Sequence, residues 1–78
     1  MSALSPTNAD RALWADEALQ AFMARTGCDS EDSLCDLLAD LMHWADNAGL
    51  SFFEEQHRAR YHYNCEIAEE RVAAEEAA

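Results

Sequence analysis

The segment that most constrains the fold is Asp29–Gly49, with the sequence DSEDSLCDLLADLMHWADNAG. Wound at about 3.6 residues per turn, it separates into an apolar side and an acidic side. The apolar side consists of Leu34, Leu37, Leu38, Leu41, Met42, Trp44, Ala45 and Ala48, and the opposite side of Asp32, Asp36, Asp40, His43 and Asp46. Asp29 or Ser30 is suited to cap the first amides, and Gly49 to end the helix in a left-handed conformation. The segment therefore predicts an amphipathic helix whose apolar stripe faces a core.

A further helix is predicted on each side of this segment. The first opens at Ser5-Pro6 or at Thr7, because proline is tolerated in a first turn, and it ends at Gly27. The third runs from Phe52 to near Ala74, with no glycine or proline to interrupt it.

These elements predict an all-α fold of three helices. Ser51 and Glu54 have the spacing of a capping box at the start of the third helix. The short turn before it favours a central antiparallel helical hairpin between helices two and three. We expect one domain over residues 1–78, with a frayed tail at residues 1–5 and a frayed acidic end at residues 75–78.

The hairpin predicts which residues fill the core. Its register places Trp44 near Gln56, Leu41 near Ala59, Leu37 near Tyr63 and Leu34 near Ile67. Trp44 and Tyr63 are accordingly assigned to the core. A second stripe, the α3 stripe, consists of Tyr61, Cys65, Ala68 and Val72, with spacings of 4, 3 and 4 residues. The first helix or a second copy of the chain could cover this stripe. We expect the second copy, in a homodimer.

The charge balance excludes several kinds of partner. Sixteen acidic residues face five arginines and no lysine, which gives a net charge of −11. Direct binding to nucleic acid or to an anionic membrane is disfavoured, because both need a positive surface. No apolar run is long enough to span a bilayer and no secretory signal is visible, so we expect a cytoplasmic protein.

The residue types used in catalysis and metal binding occur without the usual spacing of such sites. His62 and Cys65 could share one ion, but no second ligand pair has zinc-site spacing, and we predict neither a metal nor a cofactor. His62 is expected to pair with Glu66 one turn further on. No orienting group or glycine-rich loop accompanies the thiol and imidazole, so we expect no enzyme activity.

The remaining signal is the acidic surface. Asp32, Asp36 and Asp40, which we call the acidic ladder, repeat every four residues and place carboxylates about 5–6 Å apart along the helix. The predicted partner-binding set adds Asp29, Glu31, Asp46, Glu54 and Glu55. A single helix does not match the charge density of DNA, whereas two helices or a dimer would come closer. Charge alone favours the alternative in which these acids form a solvated face that binds no partner.

One segment of the sequence also resembles a family of proteins. Leu34–Glu70 resembles a family of short proteins carried by bacterial phages, plasmids and integrated elements, in which a DLLxDLMHWAD helix precedes an ARxHY helix. Here Phe52-Phe53 replaces the acidic F-D that commonly follows the turn. Small acidic proteins of such elements include anti-CRISPR proteins, some of which imitate DNA.

The resemblance implies an inhibitor acting in the bacterial cytoplasm. Its partner would be the basic groove of a multi-subunit type I, Cascade-type complex, with subtype I-C among the candidates. Binding there would block target DNA. Two alternatives stay open at this stage. One is a helical interaction module that binds a host protein through apolar surfaces, and the other is a structural subunit of a mobile-element particle.

Overall fold

Three α-helices make up the chain in a computed structural model that describes residues 6–77. They are α1 (Asn8–Thr26), α2 (Ser33–Ala48) and α3 (Phe52–Ala77), and residues 6–77 contain no strand. The all-α prediction is therefore confirmed. The predicted frayed tail, residues 1–5, and the last residue of the acidic end, Ala78, lie outside the described residues.

The ends of α1 follow from its capping residues. Thr7 accepts a hydrogen bond from the Asp10 amide at 3.1 Å, and the Asp10 carboxylate accepts one from the Thr7 amide at 2.9 Å. This reciprocal capping box satisfies two amides that have no partner within the helix. Gly27 ends α1 with φ of 79°, a conformation that costs a residue with a Cβ atom free energy. Of the two predicted start sites, Thr7 is the one used.

The helix α2 begins later than the capping signals predict. Residues 30–32 form a turn, and the Asp29 carboxylate accepts a hydrogen bond from the Asp32 amide at 3.0 Å. Ser33 donates its hydroxyl hydrogen to the Ser30 carbonyl at 3.1 Å. Asp29 therefore caps a turn that leads into the helix. The end is as predicted, at Gly49 with φ of 74°.

The helix α3 extends further than the sequence predicts. Ser51 accepts a hydrogen bond from the Glu54 amide at 3.2 Å, which is the forward half of the predicted capping box. The helix then continues without interruption to Ala77, past the expected end near Ala74. No helix among residues 6–77 is long and apolar enough to cross a membrane.

Almost no side chain among residues 6–77 is fully buried. Among the described residues, Ala45 is the single buried apolar side chain, with 3% of its surface exposed. Trp44 and Tyr63, which we assigned to the core, are 61% and 53% exposed, so that assignment is wrong for the chain on its own. Periodicity identified a helix face correctly, but the other two helices do not cover it. The antiparallel register of α2 and α3 stays a prediction.

Candidate partner-binding surface

The acidic ladder runs along one exposed face of α2. Asp32 is the N-cap residue, Asp36 lies in the first turn and Asp40 follows one turn later, and all three are exposed. No ion pair among residues 6–77 involves these carboxylates. Asp36 and Asp40 also border a shallow depression against the end of α1, beside Phe22. The ladder therefore offers three carboxylates that no cation of the described chain neutralises.

The other acids of the predicted partner-binding set are less uniform. Glu55 is half-buried and forms an ion pair with Arg58 at 3.0 Å, and Asp29 already accepts the Asp32 amide. Glu31, Asp46 and Glu54 are exposed. Asp46 lies about 80° around the α2 axis from Asp36, so it flanks the ladder rather than extending it. The acids that share one helix face are thus the three of the ladder.

An apolar groove occupies a different side of α2. We call it the α2 groove; it is lined by Leu34, Cys35, Leu38, Ala39 and Met42, with Glu31 at one end. Leu38 and Met42 are 41% and 47% exposed. The centre of the groove lies about 130° around the helix axis from the ladder. The helix α2 therefore presents two chemically distinct surfaces at once.

Exposed apolar side chains continue on the other helices. They include Leu13, Trp14, Phe53, Tyr61, Ile67 and Val72, and Leu50 is exposed in the turn between α2 and α3. In the α3 stripe, Tyr61, Ala68 and Val72 are exposed and Cys65 is half-buried. A hydrogen bond with the Cys65 side chain raises the pKa of Tyr61. The role of the α3 stripe in dimer formation stays a prediction.

A polar junction between α1 and α3 was missed by the sequence analysis. Arg11 pairs with Glu66 at 3.2 Å and donates to the Asn8 side chain at 2.7 Å. The Asn8 amide group donates to the Glu66 carbonyl, and the Asn8 backbone amide to the Glu70 carboxylate, each at 3.3 Å. The ion-pair partner of Glu66 is therefore Arg11. The prediction of His62, which rested on its nearness in sequence, is wrong.

Potential metal ligands do not converge in this part of the chain. Among residues 6–77, no group of three or more histidine, cysteine, aspartate or glutamate side chains is placed to hold a metal ion. Cys28, Cys35 and Cys65 are free thiols. The clearest chemical features of the described surface are thus the acidic ladder and the exposed apolar side chains. The chain matches no protein-family model, and it is similar to none of the curated proteins or solved structures with which it was compared.

Proposed function

We propose that the protein is a stoichiometric inhibitor whose acidic ladder occupies a lysine- and arginine-lined nucleic-acid groove. The observation that carries the proposal is the alignment of Asp32, Asp36 and Asp40 on one exposed face, without a cationic partner among the described residues. Together with the family resemblance, this favours an anti-CRISPR role. The proposed partner is a type I surveillance complex, which the ladder would prevent from binding target DNA.

The use of the arginines supports the ladder as a surface for a partner. Arg11 and Arg58 pair with glutamates, and Arg60 lies over the Tyr63 ring at 5.3 Å from its centre. These three of the five arginines are therefore engaged away from the ladder. Neighbouring like charges four residues apart cost a helix about 0.2–0.5 kcal/mol per pair. The chain keeps this repulsion, which a basic groove would relieve on binding.

Charge density sets the size of the surface that is needed. The ladder carries one charge per about 6 Å of helix axis, whereas one DNA strand carries one per about 3.4 Å. A groove that fits DNA would therefore contact more than the ladder alone. Asp46 flanks the ladder and is the first additional contact that we expect, whereas Glu31 lies at one end of the α2 groove.

The test is competition with target DNA for a purified type I complex. The double variant Asp36→Asn/Asp40→Asn should weaken inhibition, because it removes two of the three ladder charges. The charge-matched control Asp16→Asn/Glu17→Gln changes two exposed acids of α1 and should inhibit like the unmodified chain. Equal loss in both variants would show that only bulk charge matters. No loss in the ladder variant would overturn the proposal.

Salt provides a second readout. The Debye length falls from about 10 Å at 0.1 M to about 3 Å at 1 M, so groove binding through exposed carboxylates should weaken steeply with salt. Inhibition that persists at high salt would argue for apolar docking instead.

A second candidate function has its own supporting observation. Phe53 is 75% exposed at the start of α3, although a phenylalanine is normally covered. A helical interaction module would use such side chains to dock on a host protein. The variant Phe53→Ser should then abolish partner binding, and binding by the unmodified chain should not weaken as salt increases. If the ladder carries the function, the same variant should keep its inhibition.

A further inference from the structure

The exposed area of the chain is larger than that of a compact monomer of the same mass. A compact monomer of this mass leaves about 4,700 Å² accessible to solvent, whereas 6630 Å² is accessible here. The radius of gyration is 15.6 Å, compared with about 11.5 Å for a compact chain of this length. The chain therefore exposes about 1,900 Å² more than a self-sufficient domain would.

This excess area is within the range that each chain buries in an obligate interface. Stable homodimers and permanent complexes hide about 2,000–5,000 Å² in total, or about half of that per chain. With Ala45 as the only buried apolar side chain of residues 6–77, the helices have little else to stabilise them. A partner that is present whenever the chain folds would supply the missing burial. A second copy of the chain meets that condition without any other protein.

We propose that the α2 groove is the centre of a two-fold homodimer, with a second copy of the chain as its occupant. The middle of the groove consists of Leu34, Cys35, Leu38, Ala39 and Met42 and carries no charge. This matters because a two-fold contact places like residues close together, and most of this surface is acidic. An uncharged strip is where two chains of net charge −11 can approach.

The sequence of the groove fits an antiparallel pair of α2 helices. Leu34 and Met42 are equally distant from Leu38, so a two-fold axis at Leu38 sets each Leu34 against the partner's Met42. Each Glu31 then lies seven residues from the two-fold axis, on opposite sides of it. The two copies are therefore separated by about 21 Å along the helix axis. A parallel pair would set them side by side and would align the two helix dipoles unfavourably.

This arrangement leaves the acidic ladder accessible. The ladder lies about 130° around α2 from the centre of the groove, so a dimer displays two ladders. The inference does not rest on the proposed function, since it concerns the other side of the helix. Loss of DNA competition in the ladder variant and loss of the dimer are separate measurements, and either can fail alone.

Cysteine cross-linking tests the interface directly. In a background with Cys28, Cys35 and Cys65 replaced by serine, Leu38→Cys should form a disulfide-linked dimer on mild oxidation, because the two-fold axis brings its Cα atoms within about 7 Å. Asp36→Cys, on the ladder side, should stay unlinked. Preferential linkage through Tyr61→Cys would place the contact on the α3 stripe and overturn the proposal, as would linkage of both α2 variants alike.

Sedimentation provides the complementary test on the unmodified chain. At micromolar concentration it should show twice the mass of one chain, and Leu38→Asp should lose the dimer. Leu13→Asp changes an exposed leucine of α1 outside the groove and should keep it. If Leu38→Asp does not fold, the cross-linking result decides. A fully helical monomer at micromolar concentration would overturn the proposal.

Discussion

Tyr61 is a residue whose titration reports the geometry of the α3 stripe. Cys65 lies one turn away, and hydrogen bonding with its side chain, followed by the negative charge that its sulfur carries when ionised, raises the pKa of Tyr61 above its ordinary value of about 10. The protonated tyrosine is therefore favoured by the fold. This contribution to stability is complete below pH about 10 and is lost as the pH rises through the raised pKa.

A spectroscopic titration checks this shift. Tyr61 and Tyr63 are the two tyrosines of the chain, so Tyr63→Phe leaves Tyr61 as the only source of tyrosinate absorbance. We expect its midpoint to lie above that of a free tyrosine. Adding Cys65→Ala should return the midpoint toward the ordinary value, because it removes the side chain that raises the pKa of Tyr61. An unchanged midpoint would contradict the contact.

Asp46 illustrates the cost of acids at the wrong end of a helix. It lies in the last turn of α2, which contains no basic residue, and there it faces the negative end of the helix dipole. Asp46→Asn should raise the free energy of unfolding in urea by about 0.3–1 kcal/mol. Asp36→Asn, in the first turn, should raise it less or not at all, because the lost dipole interaction offsets the relieved repulsion from Asp32 and Asp40. A gain from Asp36→Asn as large as that from Asp46→Asn would contradict the dipole argument.

At the scale of elements, the ion pair and hydrogen bonds around Arg11 and Asn8 link α1 to α3. The ion pair of Arg11 with Glu66 is about one-third exposed, and the Arg11 guanidinium also holds Asn8. We expect Arg11→Gln to lower the free energy of unfolding by about 1 kcal/mol, at the upper end for a partly exposed pair. Hydrogen exchange should quicken first at the start of α1.

The matched control for this junction lies within α3. Arg58 pairs with Glu55 three residues earlier, and its side chain is 69% exposed. Arg58→Gln should therefore change the unfolding free energy by less than about 0.5 kcal/mol. A loss as large as that of Arg11→Gln would mean that net charge, rather than the link between helices, determines the effect.

The elements also show what the sequence can predict. Thr7, Gly27 and Gly49 act through local backbone geometry, so their roles as helix ends were predictable. Pairing between helices was not predictable from the sequence. Glu66 has one possible ion-pair partner nearby in the sequence, His62, and another far away, Arg11. Burial was not predictable either. The apolar period of α2 defines a face, but whether another helix of the same chain covers it depends on packing that the period does not encode.

At the scale of the whole molecule, charge and apolar surface impose opposite salt dependences. A net charge of −11 repels a second copy, and salt screens that repulsion. Apolar burial is in addition strengthened by sulfate and phosphate. Assembly of two chains should therefore tighten as salt increases, whereas binding of the ladder to a basic groove should weaken. The two surfaces of α2 can be distinguished by this difference in sign.

The thermal stability of the whole molecule should depend on its concentration. If a second copy covers the α2 groove, unfolding is coupled to dissociation, and mass action raises the midpoint as the protein concentration increases. We expect helicity measured by circular dichroism to melt at a lower temperature after dilution. Added sulfate should raise the midpoint, because it reduces the repulsion and favours apolar burial. A midpoint independent of concentration would mean that three helices with one buried apolar side chain among the described residues are stable alone, and the dimer would then be unnecessary.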